Sequence, residues 1–268
     1  MNAEYHGLLD EHAEGLRKPL YLQGQSGLVV ELDERALRIR QPERAATFYP
    51  LARLARVLSK GEVRWSCEAL LGCADAGVPV VFMDRDGGVR GYLFGPSSGE
   101  DALYRCLRAC LRRSGGRNRY ASWRCAMADH ARRTLEAQLR QAGAGPDSVL
   151  AGRGGTPVGR GMAGAVLDDA TLRRLRGLLA GLSAQLLAEA GLSAEQLADL
   201  EPLNLVDDLA DLLGWALVEP VLAAARLADL EPDQRDGRAL TALVEARRNE
   251  VFRFGRLLLD RLRQWLED

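Results

Sequence analysis

Residues Leu205 to Pro220 read Leu-Val-Asp-Asp-Leu-Ala-Asp-Leu-Leu-Gly-Trp-Ala-Leu-Val-Glu-Pro. The apolar residues of this stretch recur every three or four positions, which predicts an amphipathic α-helix that buries one face. Pro220 predicts a kink or the end of that helix. The apolar face consists of Leu205, Leu209, Leu212, Leu213, Ala216 and Leu217.

Three aspartates lie in the early part of this predicted helix. Asp208 and Asp211 are three residues apart and therefore share a face, and Asp207 precedes them. Carboxylates so placed are either a helix-start charge pattern or part of a metal site. Composition favours the first interpretation, because a helix N-terminus stabilises nearby negative charge without any further function.

The chain before this stretch divides into a β-rich part and a helical part. Short apolar segments separated by turn-forming residues predict an antiparallel β-domain over residues 1–94, with Leu51 to Leu58 as a short helical turn. Gly95 to Glu100 has the composition of a linker. Helix-period patterns predominate over residues 101–268, so the predicted fold class is α+β, with an N-terminal antiparallel β-domain followed by an all-α C-terminal domain.

The overall composition is that of a globular protein. The 268 residues are 47% hydrophobic and 27% charged, and the net charge is -1. No run is long and apolar enough to span a bilayer and the N-terminus is polar, so we expect a cytoplasmic protein without a membrane partner. The five cysteines form no Cys-x-x-Cys pair, which indicates reduced thiols.

The charges are distributed unevenly along the chain. From Arg105 to Arg176 there are 15 arginines against five acidic residues, whereas from Gly177 to Gln234 there are 11 acidic residues against one arginine. The basic stretch is a candidate phosphate-binding surface, and the acidic stretch could hold a metal or offset the basic one within the fold. A GC-rich genome also explains the preference for arginine over lysine.

A glycine-rich segment, Gly143 to Gly164, carries Arg153 and Arg160. It follows no predicted strand and lacks the Gly-Lys-Ser/Thr of a P-loop, so it is better described as an arginine-bearing connection.

Two parts of the sequence together resemble a known family. The N-terminal part contains Tyr49-Pro50-Leu51, Gly61 to Ser66, Ala76 to Asp84 and Gly87 to Gly95 in a fixed order, and the C-terminal part contains the Leu205 to Pro220 helix. In this succession the chain resembles the CRISPR-associated integrase of spacer acquisition, the larger of the two universal adaptation proteins.

The resemblance implies an asymmetric homodimer of chains, each with a β-domain and an α-helical domain. It also implies a divalent metal, Mg²⁺ or Mn²⁺, held by a Glu, a His and an Asp for strand transfer into repeat DNA. Asp208 matches the family's aspartate, which makes it the candidate metal and catalytic residue, and Asp211 matches a nearby acidic helper.

The other two ligands of the family do not carry over. Ala163, within Arg160-Gly-Met-Ala-Gly164, occupies the position where the resemblance places the Glu, and Glu195 or Gln196 falls where it places the His. The histidines of this chain are His6, His12 and His130. One or two carboxylates on one helix are too few to hold Mg²⁺ or Mn²⁺ firmly, so we predict a vestigial metal site and little or no activity. Convergence of Glu195, Asp207, Asp208 and Asp211 would rescue a metal site.

Three hypotheses follow for the function. The first is a catalytically impaired integrase homologue that still binds duplex or branched DNA and dimerises. The second is an active metal-dependent endonuclease or integrase with rearranged ligands, and the third is a scaffold subunit that has lost DNA binding. Partners that the resemblance suggests are the smaller ferredoxin-like adaptation protein and an active integrase paralogue. The predicted phosphate contacts are Arg112, Arg113, Arg117, Arg119, Arg132, Arg133, Arg153 and Arg160.

Overall fold

A computed structural model of the chain describes residues 17–24, 27–96, 102–141, 169–217 and 237–267. Eight strands and the first helix precede residue 97, and the later described elements are helical. The strands are β1 (Lys18–Gln23), β2 (Val29–Asp33), β3 (Ala36–Arg40), β4 (Thr47–Pro50), β5 (Leu54–Lys60), β6 (Arg64–Trp65), β7 (Val80–Met83) and β8 (Val89–Leu93). The α-helices are α1 (Cys67–Asp75), α2 (Ala102–Arg112), α3 (Gly116–Gln141), α4 (Asp169–Glu189), α5 (Ala194–Asp199), α6 (Leu205–Leu213), α7 (Gly237–Ala246) and α8 (Arg248–Glu267).

The strands form two four-stranded sheets. The first has the order β1-β5-β7-β8, in which β1 and β7 run parallel to β5 and β8 runs antiparallel to β7. The second has the order β4-β3-β2-β6, with antiparallel pairs except for β2 and β6. Helix α1 lies in the crossover between the parallel strands β5 and β7. The Ser66 hydroxyl caps this helix by accepting a hydrogen bond from the Ala69 backbone N–H at 3.1 Å.

The predicted fold class is confirmed, with a strand-rich N-terminal part followed by helices. The predicted antiparallel pairing holds for β2-β3-β4 and for β7-β8 but is wrong for β1, β5 and β7, which are parallel. The predicted helical turn over Leu51 to Leu58 is also wrong beyond its first three residues. Only Leu51–Arg53 form a 3₁₀ helix, because the following residues are the nearly fully buried central strand β5. A short apolar run fits a buried strand as well as a helix.

Helix α4 is the centre of the helical part. Leu175, Leu179 and Leu182 are completely buried on it, and two glycines let it lie directly on the first sheet. A Cβ at Gly177 would come 2.4 Å from the Gly87 backbone oxygen, and one at Gly181 would come 3.0 Å from the Leu58 side chain. The core of the helical part therefore continues onto the first sheet, while a second core lies between the two sheets and α1.

The remaining boundaries differ modestly from expectation. Helix α6 ends at Leu213 and continues as a 3₁₀ helix over Gly214–Leu217, and Pro220 lies outside the described residues. Residues 237–267 form two helices, α7 and α8. Most of the predicted linker 95–100 also lies outside the described residues, so the domain boundaries at 94 and 101 stay a prediction. None of the helices described is both long and apolar enough to span a bilayer.

A buried polar cluster joins the first sheet to the helices. Arg56 on β5 is completely buried, and its guanidinium donates to Gln185 Oε1 at 2.7 Å, to Glu245 Oε1 at 2.5 Å and to the Tyr21 hydroxyl at 3.3 Å. The Tyr21 hydroxyl in turn donates to Glu245 Oε1 at 2.5 Å. These four residues, the Arg56 cluster, connect β1, β5, α4 and α7.

Candidate functional site

The candidate site is built on the first turns of α6. The Asn204 side chain caps this helix by accepting a hydrogen bond from the Asp207 backbone N–H at 3.2 Å. Asp207 and Asp208 lie in the first turn, where the helix dipole stabilises negative charge, as the helix-start interpretation predicts. The cap therefore fixes the start of α6 and with it the direction of the three aspartates.

Asp207 has different partners from the other two aspartates. Its carboxylate accepts hydrogen bonds from the Tyr92 hydroxyl on β8 at 2.9 Å and from the Asn204 side-chain amide at 2.9 Å. Burial, and next the charge of Asp207, raise the pKa of Tyr92 far above its ordinary value, so the phenol stays a donor. This carboxylate connects α6 to the sheet.

Asp208 and Asp211 each form an ion pair with an arginine from a neighbouring helix. Arg124 on α3 contacts Asp208 through Nη1, and Arg176 on α4 contacts Asp211 with Nε 3.4 Å from Oδ1. The carboxylate side chains are 12% and 11% exposed, whereas the arginine side chains are 38% and 48% exposed. We call these four residues the carboxylate–arginine site.

The surroundings of these carboxylates are largely closed to solvent. Burial raises the pKa of Asp211, and the opposing effect of the Arg176 charge is smaller. Tyr120 on α3 is only 4% exposed, and burial, followed by the negative charge of Asp208, raises the pKa of its hydroxyl well above the ordinary value. The oxygens of α6 are thus little hydrated, and arginines supply the balancing charge.

Within the described parts of the chain, the site supplies two carboxylates for a cation such as Mg²⁺ or Mn²⁺, those of Asp208 and Asp211. Among the described residues, no group of three or more His, Cys, Asp or Glu side chains is arranged to hold a metal ion. Such cations need several oxygen ligands in fixed geometry, and here an arginine forms an ion pair with each of the two buried carboxylates, although Asp211 Oδ1 accepts no hydrogen bond from the described residues. The site therefore has an arginine beside each carboxylate that the resemblance assigns to metal chemistry.

Of the residues considered for the missing ligands, those that the structure describes do not join the site. Glu195 is exposed on α5, and the Gln196 side chain accepts a hydrogen bond from the Ser193 backbone N–H in a capping box. His130 is exposed on α3. Ala163, His6 and His12 lie outside the described residues.

The predicted phosphate contacts fall into three groups. Arg112, Arg113, Arg117 and Arg119 are exposed around the turn between α2 and α3, which we call the basic turn, and Arg119 also lies over the Trp265 ring at 5.4 Å. Arg132 pairs with Glu136 at 2.7 Å and Arg133 donates to the Asp129 carbonyl, so both are engaged within α3. Arg153 and Arg160 lie outside the described residues.

Ion pairs between the basic and acidic stretches partly offset the charge asymmetry of the sequence. Besides the two pairs at α6, Arg108 on α2 contacts Asp199 on α5 at 2.7 Å. Sequence reasoning missed Arg124, Arg176 and Tyr92 as partners of the aspartates. For Arg124 and Arg176 the available signal was the opposite charge of the two stretches, which gives no pairing of individual residues.

Superposition on solved structures identifies the class of fold. A Cas1 protein from Thermotoga maritima superposes with a TM-score of 0.68 at 12% identity, covering 93% of this chain and 97% of that one. A casposase bound to integration product has a TM-score of 0.65 at 12% identity and coverages of 92% and 91%. TtCas1 has a TM-score of 0.59 at 18% identity and coverages of 94% and 98%. At these identities the likeness shows the fold, which is that of Cas1 proteins.

A match in sequence then supplies the family. The family model for CRISPR associated protein Cas1 matches residues 20–143, which include the first sheet and helices α2 and α3. Residues 20–143 therefore match the Cas1 family, a family of metal-dependent nucleases, and the likeness of fold extends over most of the chain, so the resemblance found in the sequence is confirmed. Comparison with curated protein sequences gives no match.

Proposed function

We propose that this protein is a DNA-binding member of the Cas1 family that does not catalyse metal-dependent strand transfer. The observation that carries the proposal is the pairing of Asp208 with Arg124 and of Asp211 with Arg176. A divalent ion would have to displace a guanidinium from each carboxylate and would still lack a third protein ligand among the described residues. Without that ion, a 3′-hydroxyl has no activating metal and the leaving oxygen has no Lewis acid.

DNA binding is supported by the distribution of positive charge and by the relatives. Among the described residues, Arg112, Arg113 and Arg117 have no ion pair, and they lie close together on the exposed basic turn. Arginines so placed bind backbone phosphates regardless of base sequence. The solved relatives include a TtCas1-DNA complex and a casposase bound to integration product.

Partner proteins are proposed from exposed apolar side chains of the β-domain and from the relatives. We expect a homodimer formed through the β-domain, because Phe48 on edge strand β4 and Leu71 on α1 are 52% and 58% exposed. A Cas6-RT-Cas1--Cas2 complex among the relatives supports the smaller adaptation protein as a further partner. Light scattering of the purified protein tests the dimer, and a monomeric mass at micromolar concentration would exclude it.

The test of the proposed function separates binding from catalysis. Purified protein is incubated with a branched DNA substrate and Mg²⁺ or Mn²⁺, and its affinity for a duplex is measured at two salt concentrations. We expect no cleaved or joined product, and an affinity that falls steeply with salt. Metal-dependent products that disappear in Asp208→Ala would overturn the proposal that the protein does not catalyse strand transfer, in favour of an active integrase. Failure to bind duplex even at low salt would overturn DNA binding in favour of a scaffold.

The same assignment predicts the effect of metal on stability. A ligand that binds only the folded state raises the midpoint of thermal unfolding in proportion to the logarithm of its concentration over its dissociation constant. We therefore expect millimolar Mg²⁺ or Mn²⁺ to leave the midpoint unchanged relative to EDTA. A reproducible rise that disappears in Asp208→Asn would show that the ion binds at α6.

A further inference from the structure

We propose that Arg124 and Arg176 form a phosphate-binding site for the DNA backbone, with Asp208 and Asp211 as positioning residues beneath them. The inference rests on the proposed DNA-binding function and names a contact that the arginine pattern of the sequence did not indicate. Here arginines at α6, rather than a metal ion, supply the positive charge that the DNA meets.

The layering of the site supports this assignment. The two carboxylates are 12% and 11% exposed, and the guanidinium-bearing side chains above them are 38% and 48% exposed. A ligand that approaches α6 from solvent therefore meets the arginines before the carboxylates. Because Asp208 and Asp211 lie one turn apart on the same face, their two partners are held near each other, and both influence the ionisation of Asp211.

The unused donors of Arg124 make it suitable for a phosphate. It contacts Asp208 through Nη1, and among the described residues neither its Nε nor its Nη2 has a hydrogen-bond partner. A guanidinium has five N–H donors in a fixed planar arrangement, so a carboxylate on one side leaves donors for a phosphate on another. The ion pair also limits the rotation of the side chain, which reduces the entropy lost on binding.

Arg124 lies on the same helix as Arg117 of the basic turn. Arg117 and Arg124 are seven residues apart on α3, which is two helical turns, so they lie on the same face with a rise of about 10 Å between them. Along one DNA strand a phosphate recurs about every 3.4 Å of helix axis, so this distance spans about three phosphates. The basic turn and the carboxylate–arginine site can thus contact one backbone segment.

The chemistry of such a contact is binding without reaction. A guanidinium stays protonated at all physiological pH values and has no acceptor, so it cannot take a proton from an attacking hydroxyl. It also has no open coordination position for a leaving oxygen. An arginine pair over buried carboxylates therefore holds a phosphodiester and leaves it intact.

The experiment measures duplex affinity in EDTA over a range of salt concentrations for Arg124→Ala, Arg176→Ala and Asp208→Asn. Arg40→Ala is the matched control, because Arg40 is also half-exposed and ion-paired, with Glu31 at 2.5 Å, but lies on β3. Arg124→Gln serves if Arg124→Ala fails to fold, since glutamine keeps a donor for Asp208 without the charge. Circular dichroism checks the fold of each variant.

We expect each α6-facing arginine variant to bind about tenfold more weakly than wild type at 0.1 M salt. The slope of log affinity against log salt should become shallower by about one, the value for one lost phosphate contact. Arg40→Ala should bind as wild type. Asp208→Asn should bind no more weakly than wild type, because the arginine remains and one negative charge opposing the phosphate is gone.

Two results would overturn the inference while leaving the proposed function intact. One is that Arg124→Ala and Arg176→Ala keep the wild-type affinity and salt slope, as Arg40→Ala does. The other is a tenfold loss in Asp208→Asn, which would make the carboxylate itself the binding group. By contrast, if the wild-type protein binds no duplex, the proposed DNA-binding function is refuted, and so is the inference that rests on it.

Discussion

The Arg56 cluster and the carboxylate–arginine site both pair arginine with a carboxylate, but the more deeply buried partner is the arginine in the first and the carboxylate in the second. In the Arg56 cluster the arginine is completely buried, and its carboxylate partner, Glu245, is 24% exposed. At α6 the carboxylates are nearly buried and the arginines face solvent. A buried guanidinium can only serve the fold, whereas a guanidinium at the surface can also meet a ligand. We therefore expect the depth of the arginine, rather than the presence of an ion pair, to decide whether it serves the fold alone or can also bind a ligand.

The largest expected effect is the loss of stability when the buried Arg56 is removed. Arg56→Ala should lower the free energy of unfolding by about 3–5 kcal/mol, the usual loss when one partner is removed from a buried ion pair. Gln185 also loses its guanidinium donor and is itself only 4% exposed. Urea unfolding followed by circular dichroism measures the loss. A change below that of Arg124→Ala would mean that burial of the arginine does not determine its structural contribution.

A smaller loss of unfolding free energy is expected when the more exposed Arg124 is removed. Arg124→Ala should lower the free energy of unfolding by about 1–2 kcal/mol, because it leaves the nearly buried Asp208 carboxylate without its charged partner. The surface pair removed by Arg40→Ala should contribute less than about 1 kcal/mol. The same urea titration compares the two variants. Equal losses would contradict the claim that Asp208 depends on Arg124.

The smallest effect concerns the pH dependence of Asp211. Burial raises the pKa of this carboxyl in the folded state above its unfolded value of 3.8, so between these two pKa values the folded state binds more protons. Its contribution to stability therefore declines as the pH rises through that interval. In Asp211→Asn this decline should be absent, so the variant gains stability relative to wild type from acid to neutral pH. Unfolding curves measured at several pH values check the sign, and the opposite trend would mean that Arg176 outweighs burial.

The sequence predicted the elements well where a long periodic pattern existed. Helix α6 begins at Leu205 as predicted, because it presents a repeated apolar face to the core. It failed at β5, where a seven-residue apolar run carries no period that separates a helix from a central strand. Parallel pairing of β1 with β5 depends on contacts across more than thirty residues, which no local pattern encodes.

The candidate site was predicted in part. Asp208 and Asp211 were identified from the family resemblance and do lie side by side on α6, but their partners come from α3 and α4, which are distant in sequence. Charge counts showed that the basic and acidic stretches complement each other without showing which residues meet. Arg132 illustrates the limit, because it lies on α3 as Arg124 does and pairs instead with Glu136 on that helix.

The Arg56 cluster also has a consequence for synthesis of the chain on the ribosome. Arg56 and Tyr21 are made early, whereas Glu245 is made almost two hundred residues later. Until then the β-strands hold a guanidinium that cannot be buried without its carboxylate, so the first sheet should not close against the helices before α7 emerges. We therefore expect completion of the first sheet to depend on translation of α7, which carries Glu245.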